Sequence, residues 1–232
     1  MNPWFMKILD WFFAIVEDQF SRGNRDPWGV PRSRIDETTW RIRMSQLENC
    51  YKPNIYLYGE PGTELTVTFE EPELLTKTLP DYDGSWQVVL GENSCLTVDG
   101  ADGYEYLFYE SLTLAALMQQ EEGFVIKADT RTEQFEQILS AYGFNEKEIC
   151  DFVDFWTEKL SPGRGYVMYP QLTETVDTAM PITVECAEPD SYYRIWFYFA
   201  EYNGQNTEEP IIHPVCHDGL TLIEWGGIIA GE

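Results

Sequence analysis

The chain has 232 residues, 44% hydrophobic and 15% aromatic, enough for one sizeable domain with a small appendage. Its 40 Asp and Glu stand against 15 Lys and Arg, a formal charge of −25 that repels phosphate backbones and anionic lipid and excludes ordinary nucleic-acid binding. Such a surface either keeps the chain dispersed, attracts a basic partner or imitates a polyanion.

Asn2-Pro3 opens a helix that runs to about Phe20, with an N-cap followed by proline at the first helical position. Trp4, Phe5, Ile8, Leu9, Trp11, Phe12, Phe13, Ile15, Val16 and Phe20 make its apolar arc wider than one packing stripe. It must therefore bury on two sides, in a second copy of the chain, or at a membrane interface. The mostly acidic polar face (Lys7, Asp10, Glu17, Asp18 and Ser21) argues against the membrane, because interfacial helices usually carry Lys and Arg there. Gly23-Asn24, Asp26-Pro27 and Pro31 make residues 22–36 a loop, and Thr38 to Leu47 reads as a strand. Residues 22–52 hold seven basic against four acidic side chains, whereas the remainder has 8 against 36, so this Arg-rich segment is expected to wrap onto the acidic body. The domain reading is 1–49 for the helix and wrap and 50–232 for a β-rich body, with a helical hairpin at about 130–161.

In the body, Ile55 and Leu57, then Leu65, Val67 and Phe69, alternate with Tyr56, Tyr58, Thr66 and Thr68 around Glu60-Pro61-Gly62-Thr63, which predicts a hairpin. Strands follow over Leu74 to Leu79, Ser85 to Leu90, Cys95 to Val98 and Glu105 to Tyr109, joined by Asp/Gly turns as in an antiparallel meander. Ser111 to Glu122 reads as a short helix, although Leu112, Leu114 and Ala116 also alternate, and Phe124 to Lys127 reads as a strand. Thr130-x-x-Glu133 and Asn145-x-x-Glu148 are capping boxes opening two helices, closed by Gly143 and by Ser161-Pro162-Gly163. Strands return at Tyr166 to Tyr169, Ile182 to Cys186, Tyr193 to Glu201 and Leu220 to Trp225. The third is apolar on both faces apart from Arg194 and so belongs at a sheet centre. The fold expected is α+β, mainly β: antiparallel, sandwich-like sheets with an inserted helical hairpin and an N-terminal helix.

Lys52-Pro53-Asn54-Ile55-Tyr56-Leu57-Tyr58 resembles the K-P-x-I-Y-L-Y-P signature of a family of bacterial and fungal proteins without an assigned activity. Tyr82-Asp83-Gly84-Ser85-Trp86, Tyr106 to Glu110, Gly123-Phe124-Val125, Phe155-Trp156, Pro189-Asp190, Arg194-Ile195 and Gly219 to Gly227, with its Ile-Glu-Trp-Gly-Gly, resemble the same family in the same order. Gly59 replaces the signature's proline and Ser111 stands where glycine is expected. The resemblance implies no reaction, so function rests on the residues.

Catalytic patterns are sparse: no GxSxG, HExxH or phosphate-binding glycine loop occurs. Glu110 and Glu224, each beside aromatics in an otherwise apolar strand, are the candidate catalytic carboxylates; a glycosidase would need them about 5–10 Å apart. Arg194 is their expected ion-pair partner. His213, Cys216 and His217 are the candidate metal ligands, with Asp218 or Cys186 as a fourth, though Pro214 interrupts any helix through them. Tyr56, Tyr58, Trp225 and Arg194 are candidate binding residues. Five widely spaced cysteines without CxxC, and no recognisable leader, point to a reducing cytoplasm, or to secretion if a leader has been removed. The expectation is a non-enzymatic acidic binding protein with no cofactor, neutralising a basic protein partner or self-associating. A carboxylate-dependent hydrolase of a carbohydrate-like substrate, or a peripheral membrane protein using the N-terminal helix, are the alternatives.

Overall fold

Tyr193, Ile195, Phe197 and Phe199 alternate with Arg194, Trp196 and Tyr198, and nearly every one of these side chains is enclosed. A strand buried on both faces needs a layer on each side, and the architecture supplies them. The computed structural model describes residues 47–231, which apart from Leu47 form one unit. The helix, loop and Arg-rich wrap expected before it, and most of the strand expected over 38–47, lie outside the described residues.

In chain order the elements are β1 (Leu47–Tyr58), β2 (Glu64–Phe69), β3 (Leu75–Leu79), β4 (Trp86–Leu90), β5 (Leu96–Val98), β6 (Ala101–Tyr104), β7 (Leu107–Leu114), β8 (Phe124–Ile126), α1 (Arg131–Ala141), α2 (Glu146–Lys159), β9 (Tyr166–Gln171), α3 (Thr173–Ala179), β10 (Ile182–Glu185), β11 (Ser191–Glu201) and β12 (Thr221–Ile229). A seven-stranded sheet runs β3-β7-β1-β12-β11-β9-β8, and a five-stranded sheet runs β10-β2-β4-β5-β6. Every recorded strand pair is antiparallel except β11 with β12, which are parallel with Arg194 opposite Glu224. The fold is thus α+β and mainly β, as composition and periodicity predict.

The large sheet is the middle layer. On one face Phe135 and Leu139 of α1 and Phe152 and Trp156 of α2 pack with Tyr56, Ile195, Phe197, Phe199, Ile223 and Trp225 in one buried cluster. On the other, Phe69 of the small sheet meets Tyr109 of β7 edge-on at 4.9 Å. Gly227 lets the helical layer approach: a Cβ there would collide with the Trp156 ring.

Several expectations are corrected. The stretch Lys52 to Val67 is not a hairpin within one sheet, because β1 lies in the seven-stranded sheet and β2 in the five-stranded one. Its turn, with Thr63 N–H donating to the Glu60 carbonyl at 3.1 Å and Gly62 at φ +88, is a corner between layers. The period of two reads each strand but not its partner. Ser111 to Leu114 continue β7 and only Ala115–Leu117 form a short 3-10 turn, so the alternation outweighs helix propensity there. The capping box at Asn145 is present in full, whereas the Thr130 hydroxyl bonds Gln134 at 3.0 Å and leaves its helix uncapped. Helix α3 falls in a segment without a sequence-level start signal.

Candidate functional site

Glu224 and Arg194, neighbours on β12 and β11, sit wholly enclosed between the two sheets. The Arg194 guanidinium donates to Glu224 from Nε at 2.9 Å and from Nη2 at 3.3 Å, and from Nη1 to Asp177 at 2.6 Å and the Met180 carbonyl at 2.8 Å. Tyr109 Oη and Trp196 Nε1 donate to Glu224 at 2.8 and 2.7 Å. Burial works against the charge on Arg194, yet Glu224 beside it, with the phenols of Tyr109 and Tyr192, holds its pKa well above the usual arginine range. Burial, then Glu224, drives the Tyr109 phenol far up. Every donor and acceptor of the pair is engaged, which is what a buried charge requires.

This arrangement separates the two candidate carboxylates. Tyr109 shares a face with Glu224, and successive strand residues point to opposite faces, so Glu110 is directed at the helical side while Glu224 is sealed in the sandwich. Two groups on opposite faces of one sheet cannot flank one glycosidic bond. Trp225 is likewise fully buried, in the core beneath α2. Arg194 and Trp225 therefore present nothing to a ligand.

Tyr56 and Tyr58 do point to the helical face, where they meet α2. Tyr56 Oη donates to Asp151 at 2.8 Å, and Tyr58 Oη donates to Glu148 at 2.7 Å. Both phenols are pushed up, first by burial and then by those carboxylates. Glu148 also closes the cap on Asn145 N–H at 2.8 Å and contacts His217 Nε2 at 3.1 Å. His217 thus fastens the segment between β11 and β12 to the start of α2. Cys216 Sγ turns to Asp218 at 3.0 Å and His213 is exposed, and no group of three or more His, Cys, Asp or Glu suited to a metal gathers among the described residues.

The outer surface of α2 presents a different constellation. Glu146, Cys150, Asp154 and Glu158, four residues apart in turn, are exposed on the face opposite Phe152 and Trp156. On one flank lies a cleft of about 550 Å³ lined by Lys52, Tyr106, Asp151, Asp154, Phe155 and Glu158. The bulge between Tyr51 and Asn54 puts Lys52 at φ +59 and aims its ammonium over the rings of Tyr106 and Phe108, 4.9 Å from each centroid, with a bond to Tyr106 Oη at 3.2 Å. Lys147 spans Asp151 at 3.1 Å and Glu105 at 2.8 Å. Asp154 and Glu158 make no ion pair among the described residues. The cleft thus offers aromatic walls and two carboxylates without an ion pair among the described residues.

Comparison of the chain with protein-family models, with curated proteins and with solved structures gave no match. Sequence reasoning did not single out Asp151, Asp154 and Glu158 because it followed only the apolar stripe of this helix, and it met Phe155 only as part of the family resemblance. The acidic stripe at the same spacing was the available signal. No helix among the described residues is long and apolar enough to cross a membrane.

Proposed function

We propose that this is an acidic binding protein that captures a basic protein partner on the outer face of α2, without chemistry of its own. The observation that supports this most is the ridge Glu146-Asp154-Glu158 beside an aromatic-walled cleft whose acids outnumber its one lysine. The whole-chain charge of −25 would steer a cationic surface toward it, and the cleft would fix where it lands. Lysine or arginine side chains suit such a site because their apolar stems pack on Tyr106 and Phe155 while their heads reach Asp154 and Glu158. Titration of a lysine-rich peptide into the protein should show affinity falling steeply as salt rises; salt-independent binding, or none at low salt, would count against the reading.

A further inference from the structure

The other flank of the ridge is a separate groove of about 530 Å³ between α1 and α2, lined by Thr132, Glu136 and Ser140 from the first helix and Glu146, Ile149, Cys150, Val153 and Asp154 from the second. The α1 residues recur every fourth position and the α2 residues follow the i, i+3, i+4, i+7, i+8 pattern, so two helical stripes run alongside each other as its walls. Thr132 and Ser140 are too short to cover Ile149 and Val153, which remain partly exposed although they pack against the core. The rim is wholly acidic, Glu136, Glu146 and Asp154, and none of the three forms an ion pair among the described residues.

We propose that this groove seats a basic amphipathic helix of the protein partner, its apolar stripe on Ile149 and Val153 and its lysines or arginines on Glu136, Glu146 and Asp154. The charge complementarity is one-sided, since the lining contains no basic residue. A helix fits better than an extended segment because both walls are helices whose backbone groups are already bonded, leaving no strand edge for an extended chain to pair with. From Glu146 to Asp154 the stripe runs about 12 Å, roughly two turns of a docked helix. This inference rests on the binding-protein reading and specifies the shape of what is bound.

Cys150 lies in the groove and supplies a local reporter. With Cys95, Cys186 and Cys216 changed to Ser, it is the one remaining accessible thiol, because Cys50 is fully buried. The probes are a Leu/Lys peptide with leucines at helical spacing and its scramble of identical composition, with binding followed by calorimetry and by iodoacetamide alkylation of Cys150. The amphipathic peptide should bind about tenfold more tightly than the scramble and slow alkylation about tenfold when saturating. Equal affinities, or tight binding that leaves Cys150 unprotected, would overturn the groove. If both peptides bind equally and both lose affinity in the Asp154→Asn/Glu158→Gln variant, the groove falls while the binding-protein reading stands. If neither binds at low salt, both fall.

Discussion

Replacing Glu224 tests whether the buried network is a structural anchor. Glu224 accepts from Tyr109, Trp196 and twice from Arg194, all within 3.3 Å and all enclosed. Changing it to Ala leaves the Arg194 guanidinium with Asp177, the Tyr109 hydroxyl and one carbonyl, and breaking a buried pair in this way costs about 3–5 kcal/mol. The Trp196 N–H is left without a partner as well, which adds about 1–3 kcal/mol. The total of about 4–8 kcal/mol reaches the lower part of the range of ordinary domain stability, so Glu224→Ala should be largely unfolded. Glu224→Gln keeps the shape and one acceptor and should cost about 3 kcal/mol, read as a lower urea midpoint with an unchanged slope. The double change Arg194→Met/Glu224→Leu should regain most of that loss, because apolar replacement of a buried pair is often neutral or stabilising. A Glu224→Gln protein as stable as wild type but defective in binding would refute the structural assignment and return Glu224 to the functional residues.

Alkaline unfolding should be unusually steep. Burial raises the phenols of Tyr56, Tyr58, Tyr109, Tyr142, Tyr192 and Tyr193, and that of Tyr198 to about 12, above the ordinary value near 10. Because the folded values are raised, this stability is fully present below about pH 10 and is lost as pH climbs toward the folded values, by about 1.4 kcal/mol per pH unit for each tyrosine. Urea midpoints that stay flat from pH 9 to 11 would contradict this. Gly227→Ala drives a methyl into the Trp156 ring and should cost about 1–3 kcal/mol in thermal or urea unfolding, with an unaltered melting point as the contrary result. At Cys150, Asp154 and then slight burial raise the thiol pKa, so Asp154→Asn should speed its alkylation severalfold at neutral pH. An unchanged rate would mean that the carboxylate does not govern the thiol.

Alternation and capping chemistry carried most of the elements because both are local. Asn145 and Glu148 announced the start of α2, and Phe152 and Trp156 its buried side. The both-faces apolar run from Tyr193 to Phe199 placed a central strand. Partnership between strands is not local: nothing between Tyr58 and Glu64 says that the chain leaves one sheet for the other, and although Arg194 is the partner expected for Glu110 or Glu224, that it takes Glu224 follows from β11 and β12 lying side by side. For the site, the limiting factor was the low specificity of single acids in a chain with 40 of them. Glu224 beside Trp225 resembled a catalytic carboxylate only until its partners were visible. Asp154 and Glu158 became distinctive once α2 was seen to lie on the sheet with that face outward, with Lys52 lifted beside it by a bulge that Tyr51 to Asn54 do not advertise.

The most direct test compares two variants that each remove two negative charges. Asp154→Asn/Glu158→Gln alters the ridge, and Glu185→Gln/Glu188→Gln alters exposed acids on and just after β10. Affinity for a lysine-rich peptide is measured at about 0.1 M salt, where charges more than about 10 Å apart are largely screened. If the outer face of α2 is where a basic partner lands, the first variant should lose about tenfold in affinity and the second should stay near wild type. Equal losses in both would show that the peptide senses only overall charge, and would contradict a binding site on this ridge.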